Sequence, residues 1–284
     1  MATLVAACIQ LRSCKSIPVN TEKAENLIRA AAAEGASYIQ TPEMSNVLVR
    51  SRGELLERIS VLPEDMFLQM GCRVASELNV HLHIGSLAVL LENGKVANRG
   101  VLIGPDGKVA VRYDKIHMFD VDLPNGESWR ESATYEPGNE SLVADLGSIK
   151  LGMAICYDVR FPEIFRGQSR LGAEILTAPA AFTRQTGKAH WHVLQRARAI
   201  ENGAYVVSAA QGGAHEDGRE TYGHSIVVDP WGKIIAELDG EEPGYVLAEI
   251  DKQAVEKARS RIPAIANERQ FACKVTRTLK EEPA

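Results

Sequence analysis

Short apolar runs alternate with stretches of helical periodicity along nearly the whole chain. Leu4 to Ile9 reads as a buried strand, and Thr21 to Glu34 as a helix with Asn20 or Thr21 at its cap and Gly35 as its stop. A strand over Ser37 to Gln40, a helix over Glu64 to Leu78 and a strand over Val80 to Gly85 continue the alternation. Strands at Val96 to Ile103 and Val109 to Tyr113 flank Pro105-Asp106-Gly107-Lys108, a hairpin turn by composition. After an apolar run from Leu151 to Ile155 the series repeats, with helix Pro162 to Leu171, strand Ile175 to Ala178, helix Lys188 to Asn202 and strand Tyr205 to Ala209. A second hairpin joins Ser225 to Asp229 with Lys233 to Glu237 through Pro230-Trp231-Gly232. Tyr245 to Ile250 is a last strand and Lys252 to Arg259 a last helix.

The two halves share one order of elements. Helices between strands, with a hairpin in each half, predict an α+β fold of two mixed sheets face to face, covered by helices on both outer faces. The 284 residues, 45% of them hydrophobic, suffice for a large layered core. No linker or low-complexity tract interrupts them. One domain over 1–284 is therefore expected, with a core over about 4–271 and a C-terminal tail over 272–284. A net charge of −5, with Lys and Arg dispersed, argues against nucleic acid or an anionic membrane as partner. No stretch reaches the roughly 18 apolar residues of a membrane span. Cys8, Cys14, Cys72, Cys156 and Cys273 form neither a CxxC pair nor an even framework, which points to free thiols in a reducing, cytoplasmic setting. Leu4 to Cys8 lacks the preceding segments of a lipoprotein signal, so Cys8 reads as a packing residue.

Cys156 ends the Leu151 to Ile155 run, and Pro162 opens a helix soon after. Such an elbow holds a thiol at a sheet edge, with backbone N–H groups free to receive an oxyanion and a tendency toward a lowered thiol pKa. Taken alone, Cys156 reads first as a small buried hydrophobe, and its surroundings change that. Two other strand ends carry matching chemistry. Pro42 breaks a strand just before Glu43, and Lys115 closes the alternating run from Val109. Glu43 would take the thiol proton and later activate water, while Cys156 attacks a carbonyl. Lys115 and the Tyr157 N–H would stabilise the tetrahedral anion. Charges at strand ends are commonly just solvated, and spacing does not by itself make the three converge.

The segments Pro42-Glu43, Tyr113-Asp114-Lys115-Ile116-His117 and Cys156-Tyr157-Asp158-Val159-Arg160-Phe161-Pro162-Glu163 resemble the three signature motifs of the nitrilase, or carbon–nitrogen hydrolase, superfamily, in order and separation. The likeness runs from Val5 to about Phe271. Ala180 to Thr183, Thr186-Gly187, Ala189-His190-Trp191, Arg196 to Glu201 and Tyr222 to Ser225 with Val228 to Gly232 are similar to the Nit branch of small amidases. The resemblance implies a four-layer αββα sandwich, a homodimer or higher homo-oligomer, and a fourth catalytic residue, a Glu beside the Lys. Glu131 in Trp129-Arg130-Glu131-Ser132 matches that position, ahead of Glu127 and Glu136, and would orient Lys115 and keep it charged.

The implied reaction is hydrolysis of the amide of a small carboxylate-bearing substrate through a cysteine thioester, releasing ammonia or an amine. Tyr205 to Gln211 with His215 and Tyr222 to Ser225 look closest to the subgroup acting on deaminated glutathione, a metabolite-repair activity. The alternative is an omega-amidase acting on 2-oxoglutaramate or 2-oxosuccinamate, then an N-carbamoyl amidase or nitrilase, then an inactive scaffold. Arg160 would hold a substrate carboxylate, or else pair on the surface; Thr186 would assist it, and Phe182 would floor the pocket. No cofactor and no metal are expected. His81 with His83 and His190 with His192 lack a third ligand at metal spacing, and no GxSxG, Walker A or GxGxxG pattern occurs.

Overall fold

The computed structural model describes residues 3–124 and 126–276. The first half comprises β1 (Thr3–Gln10), α1 (Ile17–Ala33), β2 (Tyr38–Gln40), α2 (Arg52–Leu56), α3 (Met66–Leu78), β3 (His81–Leu90), β4 (Val96–Ile103) and β5 (Val109–Asp114). A ribbon of β6 (Asp120–Asp122) and β7 (Ser128–Arg130) leads to β8 (Leu142–Asp145), β9 (Lys150–Met153), α4 (Pro162–Arg170), β10 (Ile175–Thr177), α5 (Arg184–Asn202) and β11 (Tyr205–Ser208). A second ribbon, β12 (Gly212–Ala214) with β13 (Glu220–Tyr222), precedes β14 (Ile226–Val228), β15 (Ile234–Glu237), β16 (Gly244–Asp251) and α6 (Lys252–Arg261).

Two six-stranded sheets result, ordered β16-β1-β2-β3-β4-β5 and β15-β14-β11-β10-β9-β8. Their pairing is the same. Three parallel strands, β1 to β3 or β9 to β11, are followed by two antiparallel ones, and an antiparallel strand flanks the first. Alternation along β1 sets the layers. Ala6 and Cys8 join the core between the sheets, while Ala7 and Ile9 pack with Ile28 of α1 and Phe67 of α3 on the outer face. Helices α4 and α5 cover the other sheet. Polar bonds also cross between sheets: Gln40 Oε1 accepts the Ala209 N–H at 2.7 Å and Gln10 Oε1 that of Ser225 at 2.9 Å. Cys8 is the packing residue expected, its thiol pushed up to about 12 by burial. The described residues include no helix long and apolar enough to cross a membrane.

Several boundaries differ from the sequence expectation. Helix α1 starts at Ile17, with Pro18 in its first turn; Asn20 is no cap, because its amide is tied to the Cys14 backbone and to Asn46 O. Asp65 caps α3 by accepting the Leu68 N–H at 2.9 Å, so that helix begins after Glu64. Helix α5 begins at Arg184, ahead of Lys188. Beyond α6, Glu268 pairs with Arg170 at 2.8 Å, and residues 277–284 of the expected tail lie outside the described residues.

Gly85 does not end β3. The strand shifts register between Ile84 and Leu87 and continues to Leu90, a bulge that carries Ser86 toward the loop after β2. Ser86 donates its N–H to Pro42 O at 3.1 Å and accepts the Met44 N–H on Oγ at 2.9 Å. A Cβ on Gly85 would lie 2.1 Å from Thr41 O and 2.6 Å from Pro179 Cβ. Gly85→Ala is therefore expected to lower stability by about 2–3 kcal/mol in urea unfolding, as overpacking against backbone does. Gly167→Ala, in α4 with open space around it, should stabilise by about 0.5–1 kcal/mol. Equal midpoints for the two variants would contradict this packing.

Candidate active site

Strands β2, β5 and β9 deliver Glu43, Lys115 and Cys156 from the two sheets into one buried cluster, at 4%, 2% and 8% exposure. Lys115 Nζ donates to Glu43 Oε1 at 2.9 Å and to both Glu131 oxygens at 3.0 and 2.9 Å. Glu131 stands on a single 3₁₀ turn after β7, and its Oε2 also accepts the Phe119 N–H at 2.6 Å. Sequence reasoning missed Asn98 of β4. Its Nδ2 donates to Glu43 Oε1 at 2.9 Å and to Glu131 Oε1 at 3.1 Å, so one amide spans both carboxylates. The Ala181 N–H completes Glu43 by donating to Oε2 at 2.8 Å.

These contacts decide the proton positions. Burial pushes the Glu43 carboxyl up, but the Lys115 ammonium, the Cys156 thiol and the Ala181 N–H outweigh it, and its pKa falls below the ordinary value. Burial alone would pull Lys115 down; Glu131 and Glu43 hold it well above its usual range. Burial and the Glu43 charge push the Cys156 thiol well up, with Lys115 opposing. The lowered thiol pKa expected from the elbow is thus overturned, because an adjacent carboxylate in a dry site outweighs the turn's N–H dipoles. The resting cluster is carboxylate, ammonium and neutral thiol.

Backbone geometry aims these groups. Cys156 has φ +48° and Met44, directly after Glu43, φ +56°, both in the left-handed region that disfavours side chains by about 1 kcal/mol or more. Asp158, fully buried, fixes the elbow. Its carboxylate accepts the Ile155 N–H at 2.9 Å, the Tyr113 hydroxyl at 2.7 Å and the His117 N–H at 3.0 Å. The nucleophile's turn is thereby bolted to both sides of Lys115. His117 stacks on Phe161 and lies 2.8 Å from Asp158 through Nδ1.

The cluster opens into a cavity of about 220 Å³ whose lining includes Tyr157, Phe182 and Thr186. Arg160 is not part of that lining. Arg160 ends the 3₁₀ turn over Cys156–Arg160, its guanidinium 5.3 Å from the Phe182 ring and 5.9 Å from that of Tyr157, with Nη2 3.2 Å from His190. Besides Lys115, the cations on the lining are Arg50, Arg130 and Arg219, which no local motif announced. Elsewhere, His192 and His224 each approach Glu237 Oε1, at 2.6 and 2.8 Å; this trio is the one grouping of metal-ligand residue types among the described residues.

Because the folded pKa of Glu43 is lowered, its ionisation contributes stability above the ordinary carboxyl pKa of about 4.3, and this is lost as pH falls through the folded value. The acid limb of kcat/KM is expected below pH ~4.3 for the same reason. Asn98→Ala removes the donor shared by both carboxylates, so that limb should move upward and kcat fall about 10-fold. An unmoved limb in a pH–rate profile would make Asn98 a packing residue only.

Residues 5–260 match the family model described as carbon-nitrogen hydrolase. The deaminated glutathione amidase of Synechocystis is 40% identical over 271 residues, covering 93% of this chain and 98% of that protein. The omega-amidase NIT2 of Bos taurus is 34% identical over 271 residues, covering 95% and 96%. Among solved structures, the C. elegans NitFhit protein superimposes with a TM-score of 0.88 at 34% identity, over 95% of this chain and 66% of that longer one. Saccharomyces cerevisiae Nit3, described as a member of branch 10 of the nitrilase superfamily, gives 0.83 at 31% identity, over 92% and 94%. The chain belongs to the carbon–nitrogen hydrolase family and is a hydrolase of carbon–nitrogen bonds other than peptide bonds.

Proposed function

We propose that the protein hydrolyses deaminated glutathione at the amide of its 2-oxoglutaryl half, through a thioester on Cys156. The observation that carries this reading is the buried Glu43–Lys115–Glu131 cluster against a protonated thiol, in a chain 40% identical to a deaminated glutathione amidase. As Cys156 Sγ attacks the carbonyl carbon, its proton passes to Glu43 Oε, and the carbonyl oxygen becomes an anion facing Lys115 Nζ and the Tyr157 N–H. Collapse breaks the C–N bond. Glu43 returns the proton to the departing nitrogen, then takes one from the water that attacks the thioester; the C–S bond breaks, the acid leaves and Glu43 passes that proton to the Cys156 sulfur. Glu131 keeps Lys115 charged and in place throughout.

The amine leaving deaminated glutathione is cysteinylglycine, so the acid product, 2-oxoglutarate, is the quantity to follow. Arg50, Arg130 and Arg219 on the lining favour a substrate bearing carboxylates. The likeness to omega-amidase NIT2 keeps a second reading in view, in which 2-oxoglutaramate is the substrate and ammonia leaves. The same four residues serve both. Exposed Val193, Ile200 and Trp231, on and beside α5, support the expected self-association.

The test is keto-acid release from deaminated glutathione and 2-oxoglutaramate, and ammonia release from an N-carbamoyl amino acid and a simple nitrile, with Cys156→Ala as blank. The expected result is the highest kcat/KM on deaminated glutathione, abolished in the variant. Higher kcat/KM on 2-oxoglutaramate would move the protein to the omega-amidases. Glu131→Gln, which keeps the shape and withdraws the charge, should lower kcat about 100-fold with little change in KM. A full-rate Glu131→Gln enzyme would remove Glu131 from the mechanism.

A further inference from the structure

The cavity mouth holds a feature that the bond-breaking cluster does not use. The Arg50 and Arg219 guanidiniums both lie over the indole of Trp129, 4.6 and 5.0 Å from its centre, and all three residues face the cavity. They come from three separate places: the end of the loop after β2, ribbon strand β7 and the edge of β13. Two like charges sharing one ring repel each other unless an anion lies between or beside them. The neighbouring acids are largely engaged. Asp217 binds Arg219 through Nε at 2.7 Å, Glu220 is paired with Arg184 at 2.9 Å, and Asp122 with Arg130 at 2.9 Å. Glu127 Oε2 accepts the Trp129 indole N–H at 3.2 Å. Among the described residues no carboxylate pairs with Arg50, whose Nη2 reaches only Ser128 O, at 3.4 Å.

The path from the reacting atoms to this mouth is defined by Glu43. That residue protonates the departing nitrogen, so the amine half of the substrate leaves along it. The chain after Glu43 lines the cavity through Met44, Val47, Leu48 and Val49 and arrives at Arg50. An amine half with a terminal carboxylate, laid along this apolar wall, ends where two guanidiniums offer forked donors.

We propose that Arg50 and Arg219, braced on Trp129, form a clamp for the carboxylate of the leaving amine, and that this clamp makes the enzyme select amides of carboxylate-bearing amines over primary amides. The inference rests on the amidase reading above and deepens it by assigning the residues that choose the leaving group. Arg219 is the oriented member, fixed by Asp217, and Arg50 the one that closes on the anion. Because the clamp binds substrate far from the bond that breaks, its loss acts on KM rather than kcat.

The experiment compares deaminated glutathione with its analogue in which the glycine carboxylate is a carboxamide. The purified full-length protein is assayed beside Arg50→Gln, Arg219→Gln and Arg50→Lys. The wild type is expected to favour the free carboxylate by about 10- to 100-fold in kcat/KM, mostly through KM, as charged hydrogen bonds do. In both Gln variants that ratio should fall toward one, and Arg50→Lys should keep part of it. Both substrates are assayed on one preparation, so a loss of folded enzyme cancels from the ratio. Gln variants that retain the full ratio would overturn the clamp alone, and so would equal losses on both substrates. Failure of the wild type to hydrolyse deaminated glutathione would overturn the substrate reading and the clamp with it.

Discussion

A protonated lysine at 2% exposure has to be neutralised where it stands, and the architecture around Lys115 is arranged to do so. One carboxylate would balance the charge. Two are present, so the cluster carries a net negative charge before substrate arrives, and the surplus is dispersed over the N–H donors of Asn98, Ala181 and Phe119. Burial first, and this excess after it, keep the thiol beside it protonated. A thiolate would add a second uncompensated negative charge in a dry site. In the mechanism proposed above, reactivity then arises by proton transfer to Glu43 at the moment of attack, with Lys115 placed for the oxygen that gains the charge.

Such a cluster requires both sheets. Glu43, Asn98 and Lys115 belong to the first, Cys156 and Ala181 to the second, and Glu131 to a turn that follows the ribbon between them. Separating the sheets by even an ångström would break the Ala181 and Asp158 bonds together. The interface is accordingly pinned by polar bonds as well as by apolar packing. Gln40 to Ala209, Gln10 to Ser225 and Tyr113 to Asp158 set a register that hydrophobic contact alone, being non-directional, leaves loose. The Gly85 bulge belongs to the same device. There β3 holds the Glu43 loop through Ser86, and two residues further on Ala88 binds Asn46 of the same loop.

The strand ends were legible in the sequence because period-two alternation stops where chain direction changes, and Pro42 and Pro162 mark two of those stops. The strand and helix assignments of the main sheets held to within a few residues. Strand β8, α2 and the two ribbons went unread, since segments this short and polar carry no period. Asn98 did leave a trace: a polar residue within the apolar strand Val96 to Ile103, where asparagine is disfavoured. Arg50 and Arg219 left none, because their meeting over Trp129 depends on three loops whose paths only the folded sheets define. Arg160 was misplaced for a geometric reason. A 3₁₀ turn stands between Cys156 and α4, and the guanidinium that ends it lies 5.3 Å from the Phe182 ring and 3.2 Å from His190, off the cavity lining.

The left-handed backbone at Cys156 and Met44 joins these points into one argument. An ordinary strand exit would direct the Cys156 side chain along the sheet edge. The positive φ instead goes with a thiol that hydrogen-bonds the Glu43 carboxylate. The Met44 torsion does the equivalent for the carboxylate. Each costs about 1–3 kcal/mol, and each is held by a bond that a relaxed backbone would lose: Ile155 N–H to Asp158 at the elbow, Met44 N–H to Ser86 at the loop. Strain at the two proton-exchanging residues, rather than an intrinsically acidic thiol, is thus what the fold contributes to the nucleophile. It also gives a thiol that is neutral and 8% exposed until a substrate fills the cavity, which shields it from the oxidants that seek exposed thiolates.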